Sequence, residues 1–177
     1  PDFPGRIAVV LSNRRNAKGL ERAAAHGVPT EWLSHRSFDS REAYDAALVE
    51  VLRGHNVEWV CLAGFMRIVT PVLLSAFPQR VLNVHPALCP AFPGLHAQQQ
   101  AFDAGVKVTG CTIHFVDEGC DTGPIIAQAA VPVLPDDDLE TLQHRILAEE
   151  HRLYPQVLQW AAAGRLRIEG RTVKISL

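Results

Sequence analysis

Asn83 and His85 stand two residues apart at the end of the apolar run "RVLNVH" (80–85), so on a strand their side chains share a face. An amide donor beside an imidazole suits the stabilisation of an oxyanion as a carbonyl becomes tetrahedral. His85 can also exchange protons near neutral pH. The same two side chains can instead satisfy backbone groups at a strand end. The loop that follows, "PALCPAFPGLHA", contains Pro86, Pro90 and Pro93. Proline fixes φ and removes a donor, so this loop is held in one shape, as the wall of a site must be. A carboxylate, Asp121, lies in "EGCDTGP" between Gly119 and Gly123. Alone it reads as an Asx-turn. Beside His85 it would orient the imidazole or act as a base through water.

His114 and Thr112 alternate with Ile113 and Phe115 in "CTIHFV", so they face away from an Ile113 core. His114 therefore meets either a helix or a cleft. "CLAGFMRIV" (61–69) continues a strand into Met66, Arg67, Ile68 and Val69, an apolar wall with one guanidinium. Such a wall suits a flat heteroaromatic ligand that carries a carboxylate, although a packed core with a solvated arginine has the same pattern. Arg41 opens a helix, against the dipole preference for acids there, and is either a surface residue or an anion contact. His85, His96, His114 and Asp121 match no spacing of a helical or loop metal motif, so no metal is expected.

The elements that must hold these residues alternate. "RIAVVLSN" (6–13), "TEWLSH" (30–35), "VEWVCLAGF" (57–65) and "RVLNVH" (80–85) read as strands. Helices are expected over 17–27, over the segment capped by Asp39 or Ser40 and closed by Gly54, over 70–77 with Thr70 as cap and Pro71 at its first position, and over 96–105. Strands alternating with helices predict a doubly wound, Rossmann-like α/β fold: a mostly parallel sheet with helices on both faces and ligands at the carboxyl ends of its strands. Those ends are Ser12-Asn13, Gly64 to Arg67, and Asn83 to His85.

After residue 105 the pattern changes to two long strands around the polar excursion that holds Asp121. A long helix over about 139–163 follows, with Leu139, Leu142, Ile146, Leu153, Val157 and Trp160 on one face, and Pro155 is expected to kink it. A C-terminal strand pair, "RLRIEGRTVKISL", ends the chain.

Composition sets the remaining bounds. The chain has 177 residues, 47% of them hydrophobic, enough for one domain and one good core. A net charge of −2 argues against a nucleic-acid partner, and no apolar run reaches the length of a membrane span. Cys61, Cys89, Cys111 and Cys120 form no C-x-x-C pair and read as reduced, mostly packed thiols of a cytoplasmic enzyme.

Together these stretches resemble the folate-dependent glycinamide ribonucleotide formyltransferases. "FDSREAYD", "LAGFMRI", "LNVHPALCPAFPGLHA", "GCTIHFVDEGCDTGPII" and "EEHRLYP" occur in the family's order, and the resemblance spans nearly the whole chain. It implies a single formyltransferase domain over 1–177 and transfer of the formyl group of 10-formyltetrahydrofolate to the amine of glycinamide ribonucleotide, with no metal, by a monomer or homodimer. It further implies Asn83, His85 and Asp121 as the catalytic trio. Leu62, Met66, Arg67, Ile68, Val69 and Leu74 would line the folate pocket, Val116, Asp117, Glu118 and Gly119 would meet the pterin through their backbone, and Arg41 would face the glutamate tail. Gly64, Asn83, His114 and Glu150 would face the nucleotide. A related deformylase, which passes the formyl group to water, typically carries His-His where this chain has His85-Pro86. A folate-binding relative without turnover is the other alternative. Ala87 and Cys89 replace the family's usual Ser and Leu, an expected packing change. The family's opening strand and glycine-rich phosphate loop have no counterpart before Arg6, so the sequence is expected to be incomplete at its N-terminus.

Overall fold

A computed structural model of the chain describes residues 3–176. Strand β1 (Val10–Ser12), helix α1 (Lys18–Ala25) and strand β2 (Thr30–Trp32) form a parallel pair with its crossover. Helix α2 (Arg41–Gly54), strand β3 (Val60–Leu62), helix α3 (Pro71–Ala76), strand β4 (Val81–His85) and helix α4 (Ala97–Asp103) continue the alternation. Strands β5 (Val108–Phe115) and β6 (Ile125–Pro132), the long helix α5 (Leu139–Ala162), and strands β7 (Leu166–Glu169) and β8 (Thr172–Ile175) complete it. The second sheet runs β3-β4-β5-β6-β8-β7. Strand β3 lies parallel to β4, whereas β5 pairs antiparallel with both β4 and β6.

Neighbouring residues of β4 show how the core divides. Val81 packs with Val49, Leu52, Val60, Leu73 and Phe77 beneath α2 and α3. Leu82 packs with Ile113, Val131, Leu142, Ile146 and Val157 beneath α5. Successive strand residues point to opposite faces, so helices cover both sides of the sheet. The α5 face is the expected one, with Leu142, Ile146, Leu153 and Val157 buried. Pro155 lies inside the helix.

Three local expectations are corrected. The runs at 6–13 and 57–65 yield strands of three residues each, because among the described residues β1 pairs only with β2 and β3 only with β4. A cleft of about 1340 Å³, lined by both strands, separates the two sheets. Thr70 precedes α3 but does not cap it with its side chain. Its hydroxyl and backbone N–H both donate to Asp45 Oδ2, at 2.8 and 2.6 Å, which satisfies a buried carboxylate of α2. Finally, Cys61 and Cys120 are exposed, and only Cys89 and Cys111 are packed.

The start of α5 is tied to the end of β6 by a two-pronged ion pair. Arg145 Nη2 and Nη1 donate to Asp137 Oδ1 and Oδ2 at 2.6 and 2.7 Å, and Nη1 also reaches the Pro132 carbonyl at 2.8 Å. The hydrogen bonds from Arg145, aided by the Leu134 N–H, hold the Asp137 carboxyl down at about 2. An unfolded aspartate titrates near ~3.9. The contribution of this pair is therefore complete above that value and is lost as pH falls through about 2. Asp137→Asn should lower Tm by a few degrees at neutral pH, and the gap to wild type should close on acidification. A gap that stays constant down to the acid limit would show that the charge of Asp137 contributes nothing.

Candidate active site

Register brings the polar residues together. Asn83 pairs with His114 and His85 with Thr112 across the antiparallel β4–β5 ladder. The excursion between β5 and β6 then places Asp121, in the left-handed conformation at φ 56°, over the same end of β4. Asp121 Oδ2 lies 3.3 Å from His85 Nδ1, and Oδ1 lies 3.5 Å from His114 Nε2 and 3.4 Å from Asn83 Nδ2. The Gly94 N–H donates to Oδ2 at 2.8 Å. Three of the singled-out residues, Asn83, His85 and His114, thus meet at one carboxylate, which spacing alone could not show.

Hydrogen bonding orients both imidazoles. His85 Nε2 lies 2.8 Å from the Phe92 carbonyl and His114 Nδ1 lies 2.7 Å from the Phe115 carbonyl. A carbonyl only accepts, so each of these nitrogens carries a proton. The remaining nitrogen of each ring, His85 Nδ1 and His114 Nε2, is then the one turned to Asp121. On neutral His114, Nε2 accepts from Asn83 Nδ2 at 3.3 Å; once protonated, it donates to the carboxylate. The site is therefore built to hold an exchangeable proton between Asp121 and an imidazole. Burial pushes the Asp121 carboxyl up, but the hydrogen bonds from His114 and Gly94 and the charge of His85 outweigh it. The net result lies well below the usual carboxylate range.

The proline loop is fixed by two residues that the sequence reading did not single out. Thr112 Oγ1 donates to the Ala87 carbonyl at 2.7 Å and accepts from the Cys89 N–H at 3.0 Å. Gln128 Nε2 donates to Thr112 Oγ1 at 2.9 Å and to the Cys89 carbonyl at 3.0 Å. The alternation of Thr112 with Ile113 had placed it on the His114 face, and that was its only signal. Gln128 had none, since its role depends on the β5–β6 register, which sets it opposite Thr112.

The other sequence-predicted residues fall elsewhere. Leu62, Gly64, Met66 and Arg67 line the large cleft, with Met66 69% and Ile68 47% exposed. Val69 is buried in the α2–α3 core, and Leu74 packs against it. The Arg67 guanidinium lies 5.5 Å over the ring of Tyr44, one turn into α2 from exposed Arg41. Beyond β5, the Val116 N–H donates to the Val81 carbonyl at 2.9 Å. Asp117 Oδ1 accepts from the Gly119 N–H and the Thr122 hydroxyl, at 3.1 and 2.7 Å, and Glu118 is exposed. Glu150, on α5, is half-buried, and burial raises its carboxyl above the ordinary value. Among the described residues, no hydrogen bond or ion pair joins Arg41, Gly64 or Glu150 to the Asp121 group. No group of three or more His, Cys, Asp or Glu among them is arranged to hold a metal ion, and no helix is long and apolar enough to cross a membrane.

A model of the formyl transferase family matches residues 2–158. The chain belongs to the formyl transferase family. It is 52% identical over 161 residues to the trifunctional purine biosynthetic protein adenosine-3 of Drosophila pseudoobscura pseudoobscura, covering 91% of this chain and 12% of that protein. It thus spans about an eighth of the length of that relative. It is 46% identical to the phosphoribosylglycinamide formyltransferase of Bacillus subtilis (strain 168), covering 89% of this chain and 81% of that enzyme. Among solved structures, glycinamide ribonucleotide transformylase 1 from Symbiobacterium toebii superposes with a TM-score of 0.96 at 58% identity, covering 98% of this chain and 82% of that one. The doubly wound α/β fold expected from the strand–helix alternation, and the formyltransferase fold implied by the resemblance, are the fold of that structure.

Proposed function

We propose that this formyl transferase moves the formyl group of 10-formyltetrahydrofolate to the amine of glycinamide ribonucleotide. The observation that carries the reading is the Asp121 carboxylate held between His85 and His114 with the Asn83 amide beside it, a site that stabilises an oxyanion and moves a proton. The neutral amine attacks the formyl carbon. The new C–N bond forms, the carbonyl becomes tetrahedral, and its negative oxygen takes over an Asn83 N–H, beside the positive charge that the His85 imidazolium shares with Asp121. Collapse breaks the bond to N10 of the folate. One proton leaves the amine and one reaches N10, with Asp121 and its imidazoles holding the proton in transit, in part through water. An amine is already a good nucleophile, so no covalent enzyme intermediate is needed. The rate should rise as the substrate ammonium deprotonates.

The remaining residues take supporting roles. Leu62, Met66, Ile68, Val69 and Leu74 would form the apolar wall for the folate, and the backbone of Val116 to Gly119 would meet the pterin. Gly64, His114 and Glu150 would face the nucleotide. The half-buried carboxyl of Glu150, which has no hydrogen-bond or ion-pair partner among the described residues, suits hydroxyl donors. The reading is tested by supplying the formyl donor with and without glycinamide ribonucleotide and following formyl transfer to the amine. Release of formate at an equal rate without the nucleotide would make the protein a hydrolase.

Arg41 supplies a second check. A surface guanidinium on the folate tail contributes equally to ground and transition states. Arg41→Ala should therefore raise the folate KM about three- to tenfold and leave kcat within twofold, with the loss shrinking as salt rises. A collapse of kcat at unchanged KM would remove Arg41 from the tail.

A further inference from the structure

The turn that carries Asp121 is tied to the rest of the molecule at few points. Asp121 stands at φ 56°, a conformation that residues with a side chain disfavour, so its surroundings must hold it there. Within the 117–123 excursion, Asp117 Oδ1 accepts from the Gly119 N–H and the Thr122 hydroxyl, and these bonds stay inside it. The contacts with His85, His114, Asn83 and Gly94 end on the Asp121 carboxylate, not on the backbone that aims it. Among the described residues, one side chain from outside reaches that backbone. Arg171 Nη2 donates to the Thr122 carbonyl at 2.9 Å, across 49 residues of sequence.

The C-terminal hairpin is shaped to deliver this guanidinium. Strands β7 and β8 pair antiparallel with Glu169 opposite Thr172, so Gly170 and Arg171 form the turn, and Gly170 takes the positive φ of 62° that such a turn needs. Thr172 also pairs with Ile125 at the start of β6, just beyond the Asp121 turn. The backbone of Arg171 is thus fixed beside that turn before its side chain is placed. Leu166, Ile168 and Val173 pack on the core beneath α5 and seat the hairpin. The other cations of the hairpin are engaged elsewhere. Arg167 and Lys174 pair with Glu169, at 3.4 and 2.5 Å, and Arg165 bonds the Ser176 carbonyl. Among the described residues Arg171 pairs with no carboxylate, and the Thr122 carbonyl is its hydrogen-bond partner.

We propose that Arg171 is a positioning residue for formyl transfer: its guanidinium clamps the Thr122 carbonyl and so holds the neighbouring Asp121 carboxylate against the two imidazoles. The inference rests on the role given to Asp121 above and extends it to the C-terminal hairpin. The clamped peptide has little slack, because it is packed so closely on β5 that a Cβ at Gly123 would lie 1.8 Å from the Phe115 carbonyl oxygen. A carbonyl carries no net charge, so the clamp works through geometry. Burial, His114, Gly94, His85 and Cys120 set the titration of the Asp121 carboxyl, and Arg171 takes no part in it.

The test substitutes Arg171 in the full-length protein and follows both kinetics and structure. Arg171→Met keeps the apolar stem and removes the donors. A misplaced carboxylate should lower kcat about tenfold while KM for both substrates stays within about twofold. Arg171 is exposed, so Tm should stay within about two degrees of wild type. The loss of kcat should persist as salt rises, because the acceptor is neutral. Arg171→Lys still offers N–H donors to the carbonyl and should fall between the two. Lys174→Met, on the same hairpin, removes a partner of Glu169 without touching the turn and should keep the wild-type kcat. The Gly94 amide donates to Asp121 and supplies a readout independent of turnover. Its proton resonance should move upfield in Arg171→Met, as that bond lengthens, and stay in place in Lys174→Met. Either an unmoved Gly94 resonance or a kcat within about twofold of wild type in Arg171→Met overturns the clamp. A loss confined to KM that fades with salt makes Arg171 a contact for an anionic substrate and also overturns it. An equal loss of kcat in Lys174→Met assigns the effect to hairpin stability, with the same result. A wild-type protein that moves no formyl group to the nucleotide amine fells the functional reading, and the Gly94 resonance then decides by itself whether Arg171 positions Asp121.

Discussion

Asp121→Asn is expected to lower kcat by about two orders of magnitude or more while changing KM only a few-fold, because the charge acts on the transition state. The amide keeps the size of the side chain and can still accept from the Gly94 N–H. It cannot hold an imidazolium at His85 or His114 by charge, nor take up a proton. His85→Ala and Asn83→Ala should cost similar factors, since each removes a group that stabilises the developing oxyanion. The three losses should combine far less than additively, as expected of groups that act as a unit. The pH profile adds a sign. The folded Asp121 carboxyl sits well below the ordinary range, so it is ionised throughout the working pH range. Any acid limb of kcat near neutrality then does not come from Asp121, and its position should survive changes at Asp117 or Glu118. Activity within a few-fold of wild type in any one of the three variants would take that residue out of the mechanism.

Gly123→Ala is expected to damage both stability and activity through the backbone alone. A Cβ at Gly123 would lie 1.8 Å from the Phe115 carbonyl oxygen and 2.8 Å from its carbon, where β5 and the following turn leave no space. Phe115 donates its N–H to the Pro124 carbonyl at 2.9 Å, so the strand cannot retreat without breaking that bond. The chain must shift at the residue next but one to Asp121 and carry the carboxylate away from His85. Overpacking of this kind costs roughly 1–3 kcal/mol. The displaced carboxylate should lower kcat/KM by at least tenfold beyond any loss of folded protein. Gly19→Ala is the control: its Cβ would meet nothing within 4 Å on α1, so Tm should hold or rise by the helix preference for alanine. Wild-type activity in Gly123→Ala, at unchanged Tm, would show that the turn holding Asp121 tolerates movement.

Much of this protein follows from local patterns. Apolar runs alternating with amphipathic ones predicted the βαβ half, because a strand repeats every two residues and a helix every 3.6, and each period is visible in a short window. Ser40, one of the two caps that the positions before the helical run offered, caps α2 through its hydroxyl. Spacing alone put Asn83 and His85 on one face of a strand and His114 on the face opposite Ile113.

Contacts that join distant residues needed the tertiary structure. That Asp121 receives both imidazoles depends on the antiparallel β4–β5 register and on a left-handed turn 38 residues beyond Asn83. Thr112 and Gln128 became visible as supports of the proline loop only once β6 was seated beside β5. Thr70 looked like a cap because capping is read from neighbours in sequence, but a buried carboxylate 25 residues away claims both its donors. A sequence determines which groups each element offers and on which face. Register and strand order, set by the burial of both sheet faces, decide which of those groups meet.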